Sequence, residues 1–257
     1  MRKFSLKKAN GHSVACAEVI PADAKGIVIA VHGFTSSKES PTVQLLFKRL
    51  PAAGFGVVGI DLPCHGVEES YEEELRIESA KESLAVTEQY VTENYPALPV
   101  YYFASSFGAY ISALYISTRP HRARKLFFRS AAVNMPSLFF KENPTEEERQ
   151  LFAQLEEQGY FMQGFNLGRP VKVTKGFISD LAAADLPTLF DPDRFGPHRI
   201  AMAHGSDDPV IDPAAAASFA ERFGIEETVF EGEGHSLCGD PGTPDRVVDL
   251  AIGLYQS

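Results

Sequence analysis

The segment Val100-Tyr-Tyr-Phe-Ala-Ser-Ser-Phe-Gly-Ala-Tyr carries a strand-like run straight into the helical spacing of Tyr110, Ile111 and Leu114. A serine on so sharp a strand-to-helix turn is held in a strained conformation, and the residues two before and two after it must be small. That condition separates the two serines present. Ser106 has Ala104 and Gly108 at those places, whereas Ser105 would have Phe103 and Phe107. Ser106 is the candidate nucleophile; the plainer alternative is that both serines only cap the helix.

A serine hydroxyl is a poor nucleophile near neutral pH, so this chemistry needs a histidine to take its proton and a carboxylate to fix the imidazole. The run His204-Gly-Ser-Asp-Asp-Pro-Val-Ile follows a predicted strand ending at Ala203, which places Asp207 and Asp208 at a strand's carboxyl end, where open α/β sheets build their sites. Asp207 alone reads as a turn residue. Glu231-Gly-Glu-Gly-His-Ser-Leu then sets His235 on a glycine-flexed loop after the last predicted strand, making it the candidate base. His12, His121 and His198 read as surface or structural residues, and His32, His65 and His204, each before a glycine at a strand end, as supporting or turn residues.

Cys64-His65, and Cys238 three residues past His235, invite a metal or cysteine-nucleophile reading. No second Cys/His pair stands at zinc-site spacing, and Cys64 has no elbow, so neither reading is adopted and no metal is expected. No phosphate-binding glycine loop of the Walker or dinucleotide type is present, so no cofactor is expected either.

These residues need a scaffold, and short apolar runs alternate with helical ones to supply it. Lys3 to Lys8 and Ser13 to Ile20 flank Asn10-Gly11 and predict a hairpin. Gly26 to Val31, Phe55 to Ile60, Val100 to Ala104, Lys125 to Phe128, Arg199 to Ala203 and Glu226 to Phe230 predict parallel strands covered on both faces. Ser40-Pro41, Asp212-Pro213 and Thr243-Pro244 each give an N-cap followed by proline; the first helix carries the stripe Val43, Leu46, Phe47 and Leu50 and stops at Gly54. The second stops at Gly224. The rhythm breaks after Asn134: a charged helix from Thr145 to Gln158, a hairpin from Tyr160 to Thr174 and a helix from Ile178 to Leu189 predict an inserted lid over residues 134–190, with the core in 1–133 and 191–257. Lid aromatics, among them Phe139, Phe140, Phe152, Tyr160, Phe161 and Phe165, would either wall a pocket or pack the lid on the core.

The 257 residues, 44% hydrophobic and 23% charged, can form one enzyme-sized core. The net charge of -10 argues against nucleic-acid binding; the acidic clusters from Glu68 to Glu78 and Glu146 to Glu157 read as solvated helix faces with no site. Three cysteines far apart do not make a disulfide framework. The basic start lacks the apolar stretch of a signal peptide, and the longest apolar run, Ile27 to Val31, is too short to cross a membrane, so a soluble cytoplasmic protein is expected. The oligomeric state is left open, a homodimer being one option.

Taken together, the Ser106 elbow, the loop Val31-His-Gly-Phe-Thr-Ser-Ser, Asp208 before Pro209-Val210 and His235 resemble the α/β-hydrolase superfamily over nearly the whole chain. The resemblance implies a mostly parallel twisted sheet of about eight strands with helices on both faces. It implies the chain order Ser, Asp, His, and hence Asp208, three residues past Gly205, as the carboxylate. It also implies an oxyanion hole formed by the backbone amides of Phe34 and Phe107. HGFTSSKES with an inserted lid is similar to bacterial esterases acting on cinnamoyl and related esters, and to monoacylglycerol-lipase-like enzymes. The expected function is hydrolysis of a small-molecule carboxylic ester through an acyl-enzyme. An acyl-aminoacyl peptidase or acyltransferase on the same triad is the alternative, followed by a non-catalytic binding protein of the same fold. Ala104 departs from the family's usual glycine, and Val67 from its usual small residue.

Overall fold

Every residue of β3 (Ile27–Val31), β4 (Gly56–Ile60) and β5 (Val100–Ser105) is buried, as parallel strands covered on both faces require. The computed structural model describes residues 1–66, 75–164, 170–195 and 199–257. Part of the Glu68–Glu78 cluster, Val67, Phe165 and His198 lie outside the described residues.

Among the described residues, eight strands form one sheet in the order β1-β2-β4-β3-β5-β6-β9-β10. The predicted hairpin is β1 (Arg2–Lys7) against β2 (Ser13–Val19), and β2 pairs antiparallel with β4. From β4 onward all pairings are parallel, through β6 (Ala123–Arg129), β9 (Arg199–Gly205) and β10 (Glu226–Phe230). β3 lies between β4 and β5, so the loops leaving the carboxyl ends of β3 and β5 diverge at a switch point of the sheet. The glycine-turned loop and Ser106 leave the sheet there, side by side.

The first predicted helix is α1 (Pro41–Ala52): Ser40 caps it, its buried stripe is Val43, Leu46, Phe47 and Leu50, and Gly54 at φ 86° turns the chain away. α8 (Pro213–Phe223) is capped by Asp212 and closed by left-handed Gly224. In α9 (Thr243–Gln256) the cap is Gly242, one residue before the predicted Thr243, and no side chain satisfies it. α1 and α9 cover one face of the sheet; α2 (Ile77–Asn94), α3 (Phe107–Thr118) and α8 cover the other. α2 had no sequence signature of its own. Its buried positions include Ile77, Leu84 and Val91, but also Lys81, Thr87 and Glu88, which hide the stripe from a hydropathy reading.

Between β6 and β9 the chain forms α4 (Met135–Phe139), α5 (Glu146–Gln158), a separate antiparallel pair β7 (Tyr160–Gln163) and β8 (Val171–Thr174), then α6 (Lys175–Ala183) and α7 (Leu186–Leu189). α5 begins with a complete capping box of Thr145 and Glu148. The single helix expected from Ile178 to Leu189 is two: Pro187 has no N–H for the carbonyl one turn back, and the chain breaks at Ala184 and Asp185. α6 is tied to the core. Asp180 takes two N–H groups of Arg76 at 2.7 and 2.6 Å and the amide of Ile77 at 3.1 Å.

Candidate active site

Ser106 stands at φ 50°, ψ −117°, between the end of β5 and the first turn of α3. The elbow is tight because α3 starts against β3: a Cβ on Gly108 would lie 2.4 Å from the carbonyl oxygen of His32 and 2.7 Å from that of Val31. Only glycine fits there. Ala104 two residues before is fully buried within β5. The Ser106 amide donates to the carbonyl of Arg129 at 2.9 Å, anchoring the turn to β6.

The three side chains chosen from the sequence meet. Nε2 of His235 is 3.0 Å from Oγ of Ser106, and its Nδ1 is 2.8 Å from Oδ2 of Asp208. The other carboxylate oxygen, Oδ1, accepts the amides of Val210 at 2.8 Å and Ile211 at 3.0 Å. Asp207 is exposed and, among the described residues, its carboxylate accepts only the hydroxyl of its neighbour Ser206, whereas Asp208 is buried. Burial opposes the charge on Asp208, yet hydrogen bonds from His204 and His235 and the Ile211 amide hold its carboxyl well below the usual carboxylate range. His204, expected to be a supporting residue, reaches Oδ2 from 3.1 Å.

Two neighbouring loops fix His235. A Cβ on Gly205 would lie 2.1 Å from the carbonyl oxygen of Glu233, so the Asp208 loop and the His235 loop touch backbone to backbone. Ser130 donates its hydroxyl to the carbonyl of His235 at 2.8 Å, and Arg129 donates to the carbonyl of Ser236. The carboxylate of Glu233 gathers the amides of Gly239 and Asp240 at 2.8 and 2.9 Å. Sequence reasoning passed over Arg129 and Ser130. The available signal was an arginine ending the apolar run Leu126-Phe-Phe at a strand's carboxyl end.

The glycine-turned loop lies against the serine: a Cβ on Gly33 would stand 3.2 Å from that of Ser106. Phe34 follows Gly33, and Phe107 is the first residue of α3, whose amide has no intrahelical acceptor. Among the described residues no protein acceptor takes either amide. The loop is pinned by Lys38, whose Nζ and amide reach the Asp61 carboxylate at 2.6 and 2.7 Å. The Phe34 ring meets Phe107 edge-on at 5.3 Å and stacks on Phe177 of α6 at 5.8 Å. Beneath it, His32 accepts the Leu62 amide on Nε2 and donates from Nδ1 to the Gly33 carbonyl. Burial pushes His32 down to about 4 and His65 to about 3, so both are neutral near pH 7.

A cavity of about 1350 Å³ opens over Ser106 and His235. One lobe lies under the inserted segment, walled by Leu138, Phe139, Leu151, Phe152 and Phe161; the other runs between α1 and α9, beside Phe103, Leu237, Val247 and Val248. Both readings of the aromatics hold in part: Phe139, Phe152 and Phe161 line the cavity, while exposed Phe140 and Tyr160, under Lys172, do not. The acidic helix α5, to which no site was assigned, does reach it: Glu147 and Glu148 stand at the rim. Arg129 lines the second lobe. Burial lowers its guanidinium to about 10, and among the described residues no carboxylate lies within ion-pair distance of it. Among the described residues Cys16, Cys64 and Cys238 form no disulfide, and no three His, Cys, Asp or Glu side chains cluster to hold a metal.

Residues 22–162 match the family described as "Serine aminopeptidase, S33", more than half of the chain. The chain belongs to this hydrolase family. No curated protein matches it. Among solved structures, a hydrolase from Agrobacterium vitis S4 superimposes with a TM-score of 0.80 at 18% identity, covering 98% of each chain. Est1E from Butyrivibrio proteoclasticus, with ferulic acid bound, gives 0.78 at 14% identity, covering 99% of this chain and 100% of its own. The mouse alpha/beta hydrolase domain-containing protein 10 gives 0.73 at 12%, covering 100% and 99%. The α/β-hydrolase fold extends over the whole chain. Among the described residues of this family member, no helix is long and apolar enough to cross a membrane.

Proposed function

We propose that the chain is a serine hydrolase that cleaves carboxylic esters through an acyl-enzyme, with residues 134–190 as a lid over the site. The observation that carries the reading is the hydrogen-bonded line from Ser106 through His235, 3.0 Å, to Asp208, 2.8 Å. His235 takes the Ser106 proton as Oγ attacks the ester carbonyl, and the amides of Phe34 and Phe107 hold the oxyanion. Collapse expels the alcohol, which receives that proton. Water, deprotonated by His235, then attacks the acyl-serine and releases the acid. Asp208 keeps the imidazole oriented and offsets its charge.

Amide cleavage is the second reading, and the family's description favours it. An aminopeptidase must hold its substrate's ammonium group, and the cavity is poorly charged for that. Of its carboxylates, Glu39 and Glu148 face Lys3 and Lys141 at 2.8 and 2.5 Å, Asp245 faces Arg49 and Glu147 is exposed on α5, while Arg129 adds a cation to the lining. The apolar lid lobe suits an acyl or aromatic group, in keeping with a fold relative that has ferulic acid bound. Three cysteines, none in a disulfide among the described residues, fit the reducing cytoplasm.

Steady-state kinetics on matched esters and aminoacyl anilides test this. We expect kcat/KM for esters to exceed that for anilides by on the order of 100-fold, and Ser106→Ala to lower ester kcat by roughly 10⁴-fold or more. Faster anilide cleavage would reverse the reading.

A further inference from the structure

The second lobe of the cavity holds a cation that the proposed chemistry does not use. Arg129 follows Phe127 by two residues along β6 and so points to the same sheet face, the one covered by α1 and α9. It is 8% exposed and lines the cavity. Among the described residues its side chain donates to the carbonyl of Ser236, next to His235. Cys238, Asp208 and Glu233 favour its charge from a distance, but among the described residues no carboxylate forms an ion pair with it. Asp208 serves two imidazoles and two amides, and Glu233 serves the amides of Gly239 and Asp240. A guanidinium carries five donors in a planar fork, and the Ser236 carbonyl takes one of them. Such a fork at a cavity wall matches the geometry of a carboxylate.

We propose that Arg129 is a carboxylate-binding subsite, and that the substrate is an ester bearing a second, ionised carboxyl group that lies in the α1–α9 lobe while its apolar part fills the lid lobe. The inference rests on the proposed ester hydrolysis. A carboxylate accepts two parallel N–H groups from arginine, and this fixes the ester bond's position along the cavity as well as adding affinity. Of the rim carboxylates, Glu39, Glu148 and Asp245 each face a cation, and Glu147 is an exposed residue of α5, on the side of the inserted segment.

The test uses two matched pairs, because the lobe can take either side of the ester. Ethyl hydrogen adipate is compared with ethyl hexanoate, and the butyrate ester of 3-hydroxybenzoic acid with phenyl butyrate. In the intact enzyme, one carboxylated member is expected to exceed its neutral partner in kcat/KM by on the order of tenfold or more. Arg129→Met lowers that ratio by roughly 30-fold, and Arg129→Lys restores part of it. A ratio is read because losing the bond to Ser236 also disturbs the His235 loop, which affects both esters alike. Carboxylated esters turned over no faster than neutral ones by the wild type, or a ratio unmoved in Arg129→Met, overturn the subsite. If Arg129→Met does not fold, the wild-type ratios decide alone. Neutral-ester hydrolysis without carboxylate preference overturns this inference only; no ester hydrolysis of any kind overturns the proposed function with it.

Discussion

Nε2 of His204 lies 3.1 Å from Oδ2 of Asp208, the oxygen that also stands 2.8 Å from Nδ1 of His235. One carboxylate oxygen thus serves two imidazoles, and the buried one, His204, limits how Asp208 can turn. His204→Phe keeps the volume and removes that contact. Hydrogen bonds to charged groups contribute about 1.5–3 kcal/mol, so kcat is expected to fall on the order of 10- to 100-fold while KM stays within about twofold. Steady-state kinetics check this; an unchanged kcat would make His204 a packing residue only.

Strain at the elbow predicts opposite effects two residues apart. Ser106 at φ 50° sits where glycine is at ease and other residues are not. Ser106→Gly is expected to raise unfolding stability by about 1 kcal/mol, and Ser106→Ala to leave it nearly unchanged. Gly108→Ala drives a methyl into two backbone carbonyls and should cost roughly 2–4 kcal/mol. Urea midpoints decide, and a Gly108→Ala protein as stable as wild type would contradict the packing described.

Acid should weaken the fold through buried histidines before it reaches the carboxylates. His65 is lowered from the ordinary 6.5 to about 3, so below about pH 6.5 the unfolded chain takes up a proton the folded one refuses. Stability is then full above pH 6.5 and lost as pH falls. Between pH 6.5 and 4.5 this histidine alone accounts for about 2–3 kcal/mol. Asp208 does not contribute there: its folded value is depressed, so its stabilisation persists until pH falls below the unfolded value of about 4. Denaturant titrations at both pH values should show a smaller acid loss in His65→Phe; an identical loss would refute the assignment.

The inserted segment is coupled to the loop after β3 through one ring. Phe177 of α6 is fully buried and stacks on Phe34. Phe177→Ala is expected to cost about 3–5 kcal/mol in stability and to lower kcat by loosening the Phe34 amide. Retained kcat in a destabilised protein would separate the two effects and remove Phe34 from the oxyanion site.

Much of this arrangement was legible in the residues. The elbow could be read because a steric rule tells Ser106 from Ser105, and the strands could be read because Ile27 to Val31 and its neighbours are apolar without interruption. Less legible were features set by partners far along the chain. Glu88 looks like a surface charge until Tyr102 donates to it at 2.9 Å inside the fold. Arg129 looks like a strand-end charge until the His235 loop closes over it. The break between α6 and α7 was marked by Pro187 in plain sight, and the helical spacing around it outweighed that signal.

The most direct test of the Ser106–His235–Asp208 assignment is active-site labelling. A fluorophosphonate incubated with the folded protein and read by peptide mass spectrometry should modify Ser106 at close to one equivalent. His235→Ala should slow the labelling by several orders of magnitude, on the scale set by triad dissections. Label on another residue, or equal labelling rates with and without the His235 imidazole, would contradict the account.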